Sequence, residues 1–363
     1  MFKGYLELLA RGENLSLTDF QIAFDALLDG GASDAQAAAF LMALRAQHET
    51  PAYLKIAAEI LRARAVALPA PPGVLDIVGT GGDGLKTLNI SSAAAIVAAA
   101  AGATVAKHGN YGASGPTGAS DTLAALGVNL QAPPEKIQTA LFDHKFAFVF
   151  APLFHPALAK LAPVRKSLGI RTIFNLLGPI VNPARPTFML LGVSSPHAMQ
   201  TYADILPGLG VQHAWIVRGQ DGMDELSPCA PSDVVRVQHG SFSRFTISLE
   251  DVGLPRATPE QIIGGDAAHN AVAMQAILNG TQDISLNAYR NAVIYNAGAA
   301  LLIAGRAGTP LEGVRLATAA IQDSKAIDKL TKYIALTSIT GMVQAELPVP
   351  VDETVPDFLV VAG

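Results

Sequence analysis

The chain has 363 residues, half of them apolar, which is enough for one large domain or for one large and one small domain. Its net charge of −5 argues against a general nucleic-acid binder, because such proteins usually carry a basic stripe. The single cysteine, Cys229, excludes an internal disulfide and a cysteine-based zinc site. The first residues lack the continuous apolar core of a signal peptide, and the most apolar stretch is too short to span a bilayer. We therefore expect a cytoplasmic protein that does not enter a membrane.

The first 67 or so residues carry helical signals only. Apolar residues in 20–28 follow the spacing of one helix face. Ser33 has a glutamine three residues on, as in a capping box, and Thr50 precedes a proline at the first helical position. We predict a small all-helical domain over residues 1–70, joined by helices from about 157–185.

After a proline-rich linker the pattern changes to short apolar runs separated by helix-length segments. Such alternation predicts an α/β domain with a mainly parallel central sheet, here over residues 71–335. A tail with several prolines and acidic residues is predicted to be irregular over 336–363. The predicted strands are 74–78, 104–106, 146–150, 188–193 and 214–217, followed by an antiparallel hairpin over 234–249.

A glycine-rich segment, residues 79–83 (GTGGD), directly follows the first predicted strand. Glycines let the backbone approach a ligand and expose N–H groups, which suits a phosphate or pyrophosphate, although an ordinary tight turn is the alternative. Thr87, Asn89 and Ser91 come just before a helix whose N-terminus is itself an anion site. Ser91 can cap that helix, bind an anion, or do both.

A second polar segment, Lys107 to Asn110 (KHGN), follows the second predicted strand. Ligands of α/β proteins collect at the carboxyl ends of strands, so the two segments are predicted to converge on one cleft. Lys107 would offer a point charge to a phosphate, unless the segment is only a solvated loop. Small residues over 112–121 predict a flexible loop that closes over a ligand or a plain linker.

Three further groups leave both a functional and a structural interpretation open. His155 can hydrogen-bond a substrate or simply begin a helix. Arg165 can clamp a carboxylate with its planar fork, or complement the dipole of a helix ending at Gly169. Asp224 and Glu225 can hold Mg²⁺, although an adjacent acidic pair is more often solvated.

Taken in order, these motifs resemble the anthranilate phosphoribosyltransferase family over about residues 8–330. The resemblance implies a helical domain hinged to an α/β domain, with the active site in the cleft between them. It implies transfer of a phosphoribosyl group from phosphoribosyl pyrophosphate to anthranilate in tryptophan biosynthesis, two Mg²⁺ ions, and a homodimer joined through the helical domains. The motifs that carry it are DIVGTGGDGLKTLNISSA (76–93), AKHGN (106–110), VRKSLGIRTIFNLLGPIVNPA (164–184), GMDELSP (222–228) and GGDAAHNA (264–271).

The resemblance also implies roles for individual residues, with Lys107, Asn110 and Arg165 as the catalytic set. Because the amine of anthranilate is neutral and nucleophilic at neutral pH, no strong general base is required, and catalysis is mostly positioning and charge stabilisation. The implied donor site is Gly79, Gly81, Gly82, Asp83, Thr87, Asn89, Ser91, Lys107 and Ser120. The implied anthranilate site is Gly79, Asn110, His155, Arg165 and Gly178, and the implied Mg²⁺ ligands are Ser91, Asp224 and Glu225.

The loop expected to cover the donor departs from the family pattern. Family members usually have Arg, Lys and Ser where this chain has Tyr111, Pro116 and Ala119, so two cations and one hydroxyl are missing. Three hypotheses follow: Ser120 or Thr117 substitutes, the donor binds weakly, or the acceptor is a different one.

Two other functions remain open on the sequence. A pyrimidine nucleoside phosphorylase would share the phosphate site, but the segment 164–184 argues against it. A non-catalytic relative that binds nucleic acid would explain the missing cations. The net charge and the retained Arg165 and acidic pair argue against that second alternative.

Overall fold

The computed structural model describes residues 2–112 and 117–338. Its N-terminal part is helical, and side-chain oxygens of Ser16, Ser33 and Thr50 cap three of the helices. The predicted capping box is present, because Ser33 and Gln36 each accept the backbone N–H of the other. The four helices are α1 (Phe2–Ala10), α2 (Leu17–Asp29), α3 (Asp34–Ala46) and α4 (Pro51–Arg64).

Aromatic side chains fill the interior of this helical part. The ring of Phe20 stacks on Tyr53 with 4.1 Å between the centroids, and Phe24 contacts Phe174 at 5.8 Å. Phe174 comes from a later segment, so the chain returns to the helical part after its third strand. That segment contains α8 (Ala151–Phe154), α9 (Ala162–Leu168) and α10 (Ile173–Leu177), with short 3-10 turns at Pro156–Leu161 and Gly178–Ile180.

A seven-stranded sheet forms the centre of the second part. Its order is β3-β2-β1-β4-β5-β6-β7, in which the first five strands are parallel and β6 and β7 form the predicted antiparallel hairpin. The α/β class, the N-terminal helical domain and the mainly parallel sheet are therefore confirmed. The strands are β1 (Val74–Gly79), β2 (Thr104–Gly109), β3 (Phe146–Phe150), β4 (Phe188–Gly192), β5 (His213–Gly219), β6 (Ser232–Gln238) and β7 (Ser241–Ile247).

Most strand boundaries differ from the sequence prediction by one to three residues, and two boundary differences change an assignment. Strand β2 continues to Gly109, so Lys107 lies inside the strand and not in a loop after it. The last helix continues to Ser338, so the prediction of an irregular tail from residue 336 was wrong for residues 336–338. The rest of that tail lies outside the described residues, as does Pro116.

In the described residues, eight more helices pack on the sheet or on one another in this second part. The alanine-rich α5 is almost wholly buried, since its small side chains allow close contact with β1, β2 and α13. Within the described ranges, no helix combines the length and the apolar character needed to cross a membrane. The helices are α5 (Ile90–Ala100), α6 (Ala119–Ala125), α7 (Pro134–His144), α11 (Pro196–Ile205), α12 (Ala267–Leu278), α13 (Asn287–Ile303), α14 (Pro310–Gln322) and α15 (Lys325–Ser338).

A buried carboxylate joins the centre of the sheet to the segment after α10. Asp76 on β1 accepts the backbone N–H of His108 at 3.1 Å and the side-chain amide of Asn182 at 2.9 Å. The same amide donates to the carbonyl of Ala106 at 2.8 Å. Burial raises the pKa of Asp76 to about 6, against the opposing charge of Lys107. These bonds hold β1, β2 and the returning segment in one arrangement.

The contact between α13 and α14 gives a test of packing. A Cβ on Gly313 would lie 2.2 Å from the carbonyl oxygen of Gly298, so Gly313→Ala must push two backbones apart. We expect this change to lower the free energy of unfolding by about 1–3 kcal/mol, measured by denaturant unfolding. Gly4→Ala in α1 is the control, because nothing lies within 4 Å of its added methyl. A neutral Gly313→Ala would contradict the close approach.

Candidate active site

A cleft of about 910 Å³ opens at the carboxyl ends of β1 and β2, facing α9 and α10. Since β1 and β4 are neighbours and the chain leaves them in opposite directions, the cleft lies at the switch point where α/β proteins bind ligands. Most of the site residues predicted from the sequence line it. They are Gly79, Gly81, Gly82, Asp83, Thr87, Asn89, Ser91, Lys107, Asn110, Arg165, Gly178, Asp224 and Glu225.

Two predicted residues do not line the cleft. His155 is buried beside His108, with 5.5 Å between the ring centroids. Ser120 is buried in the first turn of α6, where its backbone N–H donates to the carbonyl of Asn110 at 3.2 Å. His155 and Ser120 therefore support the lining, and a direct contact of either with substrate stays a prediction.

His108 lines the cleft in addition, although the sequence had not singled it out. Its Nδ1 lies 2.9 Å from the carbonyl oxygen of Gly178. Burial, reinforced by His155, lowers the pKa of His108 to about 3, and burial lowers that of His155 to about 4. The ring is therefore neutral at neutral pH, donates at Nδ1 and keeps Nε2 as an acceptor. No local signal in KHGN indicates this position, because it depends on the contact with Gly178, 70 residues away.

The acidic loop rests directly on the ends of β1 and β4. Gly79 and Gly192 are partners across these strands. A Cβ on Gly79 would lie 2.4 Å from Oδ2 of Asp224, and one on Gly192 would lie 1.5 Å from the Asp224 carbonyl oxygen. The same Oδ2 accepts the backbone N–H of Gly81 at 2.6 Å. Glycine at both strand ends thus lets the acidic loop reach the glycine-rich loop.

The second carboxylate faces the start of α5 and the lysine on β2. Oε1 of Glu225 accepts the backbone N–H of Ser91 at 3.2 Å. Lys107 Nζ donates to the Ile77 carbonyl at 2.7 Å and to the Ser91 hydroxyl at 3.1 Å. Burial and the neighbouring Asp224 raise the pKa of Glu225, and Lys107 opposes them. Lys107 therefore contributes its charge from the floor of the cleft.

The oxygen atoms here fit a hard divalent cation that is shared with a phosphorylated ligand. Among residues 2–112 and 117–338, no three His, Cys, Asp or Glu side chains form a metal site by themselves. Cations of this kind are often held by one or two carboxylates, with ligand phosphates and water completing the shell. Oε2 of Glu225 is buried and has no hydrogen-bond partner in the described part of the chain, so it is available as such a ligand.

Arg165 lies on the opposite wall, on α9. Its guanidinium is 5.1 Å from the centroid of the Phe174 ring, and burial lowers its pKa. Within the part of the chain that the structure describes, no carboxylate pairs with it. A half-buried guanidinium held over an aromatic face suits a planar carboxylate ligand.

Arg171 is a second arginine at the cleft, and the sequence had suggested no role for it. Its Nη1 donates to the carbonyl of Gly81 at 2.6 Å and its Nη2 to that of Thr80 at 3.1 Å. No local sequence pattern predicts this contact, because 90 residues separate Arg171 from Gly81.

Residues next to the loop 112–121 contact one another through hydrogen bonds and ring packing. Asn89 Oδ1 accepts from the Thr122 hydroxyl at 2.6 Å and from the Asn270 amide at 3.0 Å, so its side chain holds the start of α6. Tyr111 is half exposed, lines the cleft and contacts the ring of Phe150 edge-on at 5.2 Å. An aromatic ring therefore lies at the edge of the cleft at position 111.

Comparison with known proteins shows to which class of protein the chain belongs. A model of the glycosyl transferase family a/b domain matches residues 71–327, and a model of the helical bundle domain of a glycosyl transferase family matches residues 3–65. A helical bundle and an a/b domain of glycosyl transferases thus account for most of the chain. Among similar proteins, anthranilate phosphoribosyltransferase of Parvibaculum lavamentivorans is 44% identical over 337 residues, covering 93% of this chain and 98% of that protein.

Similar solved structures are of the same family as this relative. The crystal structure of anthranilate phosphoribosyltransferase from Thermus thermophilus has a TM-score of 0.85 at 39% identity, covering 92% of this chain and 99% of that one. The Saccharomyces cerevisiae enzyme in complex with PRPP and Mg has a TM-score of 0.85 at 26% identity, covering 93% and 98%. The chain belongs to the anthranilate phosphoribosyltransferase family, as the sequence motifs predicted.

The docking of the acidic loop can be tested by adding one methyl group. Gly192→Ala places a Cβ 1.5 Å from the Asp224 carbonyl oxygen, so the loop must move away from β1 and β4. We expect the free energy of unfolding to fall by about 2 kcal/mol or more, measured by denaturant unfolding. Gly178→Ala adds the same methyl where nothing lies within 4 Å, and its stability should be unchanged. Equal stability of the two variants would refute the contact.

Proposed function

We propose that this protein transfers the phosphoribosyl group of phosphoribosyl pyrophosphate to the amine of anthranilate, releases pyrophosphate, and serves tryptophan biosynthesis. The observation that carries the proposal is the cleft itself, in which a glycine-rich loop, an acidic pair and an arginine that pairs with no carboxylate of the described residues face one space. Membership of the family, with 44% identity over nearly the full length of a relative, supports the same reaction.

The donor half of the cleft stabilises the leaving group. The bond from C1 of the ribose to pyrophosphate breaks, so positive charge develops on the ribose and negative charge on the leaving pyrophosphate. The N–H groups of the loop 79–83 that are not bound to Asp224 or Gly192, together with the charge of Lys107, stabilise that negative charge. Ser91, Asp224 and Glu225 would hold two Mg²⁺ ions. When bound, these ions would neutralise further charge on the leaving group. The Saccharomyces cerevisiae relative, solved with PRPP and Mg, supports Mg²⁺ as the ion.

The acceptor half orients anthranilate. Arg165 faces the carboxylate, and Asn110 and Gly178 border the path of the ring. The amine attacks C1, the new C–N bond forms, and the amine proton leaves to water. The Saccharomyces cerevisiae enzyme has also been solved with 4-fluoroanthranilate, which supports an aromatic acceptor here. Catalysis then consists mainly of holding two reactants in line.

The assembly and its location are further parts of the proposal. A helical domain of residues 1–70 and about 157–185 would join two copies of the chain into a homodimer in the cytoplasm. Leu17, Ile22 and Met42 on α2 and α3 support a contact there, because these large apolar side chains are 52%, 42% and 48% exposed.

Turnover is tested by following anthranilate fluorescence with Mg²⁺ over a wide range of donor concentration. Arg165→Ala should raise the KM for anthranilate by about tenfold to a hundredfold, because a charge-assisted pair with the carboxylate is lost. Arg306→Ala removes an exposed arginine that does not line the cleft, so it is the control and should change neither KM. A folded wild-type protein without turnover at any donor concentration would disprove the proposed reaction.

The departure at Tyr111 gives a separate test of donor affinity. Tyr111→Arg restores a cation at the edge of the cleft, so the KM for the donor should fall by roughly threefold to tenfold while the KM for anthranilate stays the same. Tyr111→Phe keeps the ring beside Phe150 and should leave the donor KM unchanged. If Tyr111→Arg leaves it unchanged as well, the missing cation does not limit donor binding.

A further inference from the structure

Arg171 connects the helical side of the cleft to the glycine-rich loop. It lies between α9 and α10, and its fork reaches two successive carbonyls, those of Thr80 and Gly81, at 3.1 and 2.6 Å. Three residues further on, Phe174 packs against Phe24 of α2. The guanidinium therefore bridges an element anchored in the helical domain and a loop that extends from β1.

These two hydrogen bonds determine how the loop peptides are turned. In a trans peptide the C=O and the following N–H point in opposite directions. The peptide from Thr80 to Gly81 is held at both ends, by Arg171 at its carbonyl and by Asp224 Oδ2 at its N–H, 2.6 Å away. The peptide from Gly81 to Gly82 is held by Arg171 at its carbonyl, so the Gly82 N–H faces away from the guanidinium.

The loop needs such a clamp because its own backbone is permissive. Gly81 and Gly82 both have positive φ angles, +64° and +79°, and residues that carry a side chain seldom adopt this backbone conformation. Glycines in this region have many other conformations available, and a flexible loop must lose that freedom when it binds a ligand. The guanidinium lies directly against the loop, since a Cβ on Gly82 would be 1.4 Å from Nη1.

We propose that Arg171 is a positioning residue for the pyrophosphate donor: it turns the carbonyls of Thr80 and Gly81 away from the ligand and presents the Gly82 N–H to it. This inference rests on the proposed function, because it assigns the ligand of the loop as pyrophosphate. A planar fork is suited to two adjacent carbonyls, whereas a lysine offers a single point of charge. The role therefore depends on the shape of the guanidinium as well as on its charge.

The experiment compares R171A, R171Q and R171K with K166Q, which removes a cation that also lines the cleft. Magnesium pyrophosphate binding is measured by calorimetry, and the two KM values are measured by turnover. We expect R171A and R171Q to weaken pyrophosphate binding and raise the donor KM by about tenfold or more, with the anthranilate KM within about twofold of wild type. R171K should recover only part of the loss, and added guanidinium should partly rescue R171A.

Three results would overturn the inference: wild-type pyrophosphate affinity in R171A, full recovery in R171K, or an equal loss in K166Q. Thermal unfolding shows whether each variant is folded. If R171A is unfolded, R171Q and R171K decide the question. If the wild-type protein binds magnesium pyrophosphate but does not consume anthranilate, the proposed reaction fails, and the binding comparison still reports on Arg171.

Discussion

The site depends on one close approach, that of the acidic loop to the ends of two central strands. Gly79 and Gly192 lack a Cβ, and only this absence makes room for the backbone and carboxylate of Asp224. From that position Asp224 reaches the N–H of Gly81, and Glu225 reaches the N–H of Ser91. The acidic loop is thereby joined to the glycine-rich loop through Gly81 and to the start of α5 through Ser91. A larger side chain at either strand end would separate the anion-binding loop from the carboxylates.

Buried charge is the second constraint on the cleft. Lys107 lies on β2 beneath the acidic pair, where burial lowers its pKa and the carboxylates of Asp76, Glu225 and Asp224 oppose that shift. Its ammonium is already bound to the carbonyl of Ile77 and to Ser91. Charges held this way cannot reorganise freely, so the floor of the cleft has its polarity before any ligand arrives. Neutral His108, fixed by the carbonyl of Gly178, belongs to the same arrangement.

Several features could be predicted from neighbouring residues alone. The caps at Ser33 and Thr50 depend on residues three positions away, and the strand before the loop 79–83 is a short run that is apolar except for Asp76. The position of that loop at a strand end follows from the fold class. Other features could not be predicted, for a definite reason. The burial of His155 beside His108 depends on packing between separate elements, and its contact with substrate stays a prediction. The extent of β2 depends on pairing with β3, which no property of KHGN reveals.

By itself, the sequence determined the class of fold, the order of strands along the chain, the polar loops that follow them and the family. Those features depend on hydrophobic period, capping and turn chemistry, all of which act over a few residues. Only the tertiary structure decided which atoms of these loops contact one another. The pairing of Gly79 with Gly192 and the hydrogen bonds of Arg171 to the loop 79–83 join segments far apart in the chain. Such contacts follow from strand register and helix packing, which are properties of the assembled core and not of any local pattern.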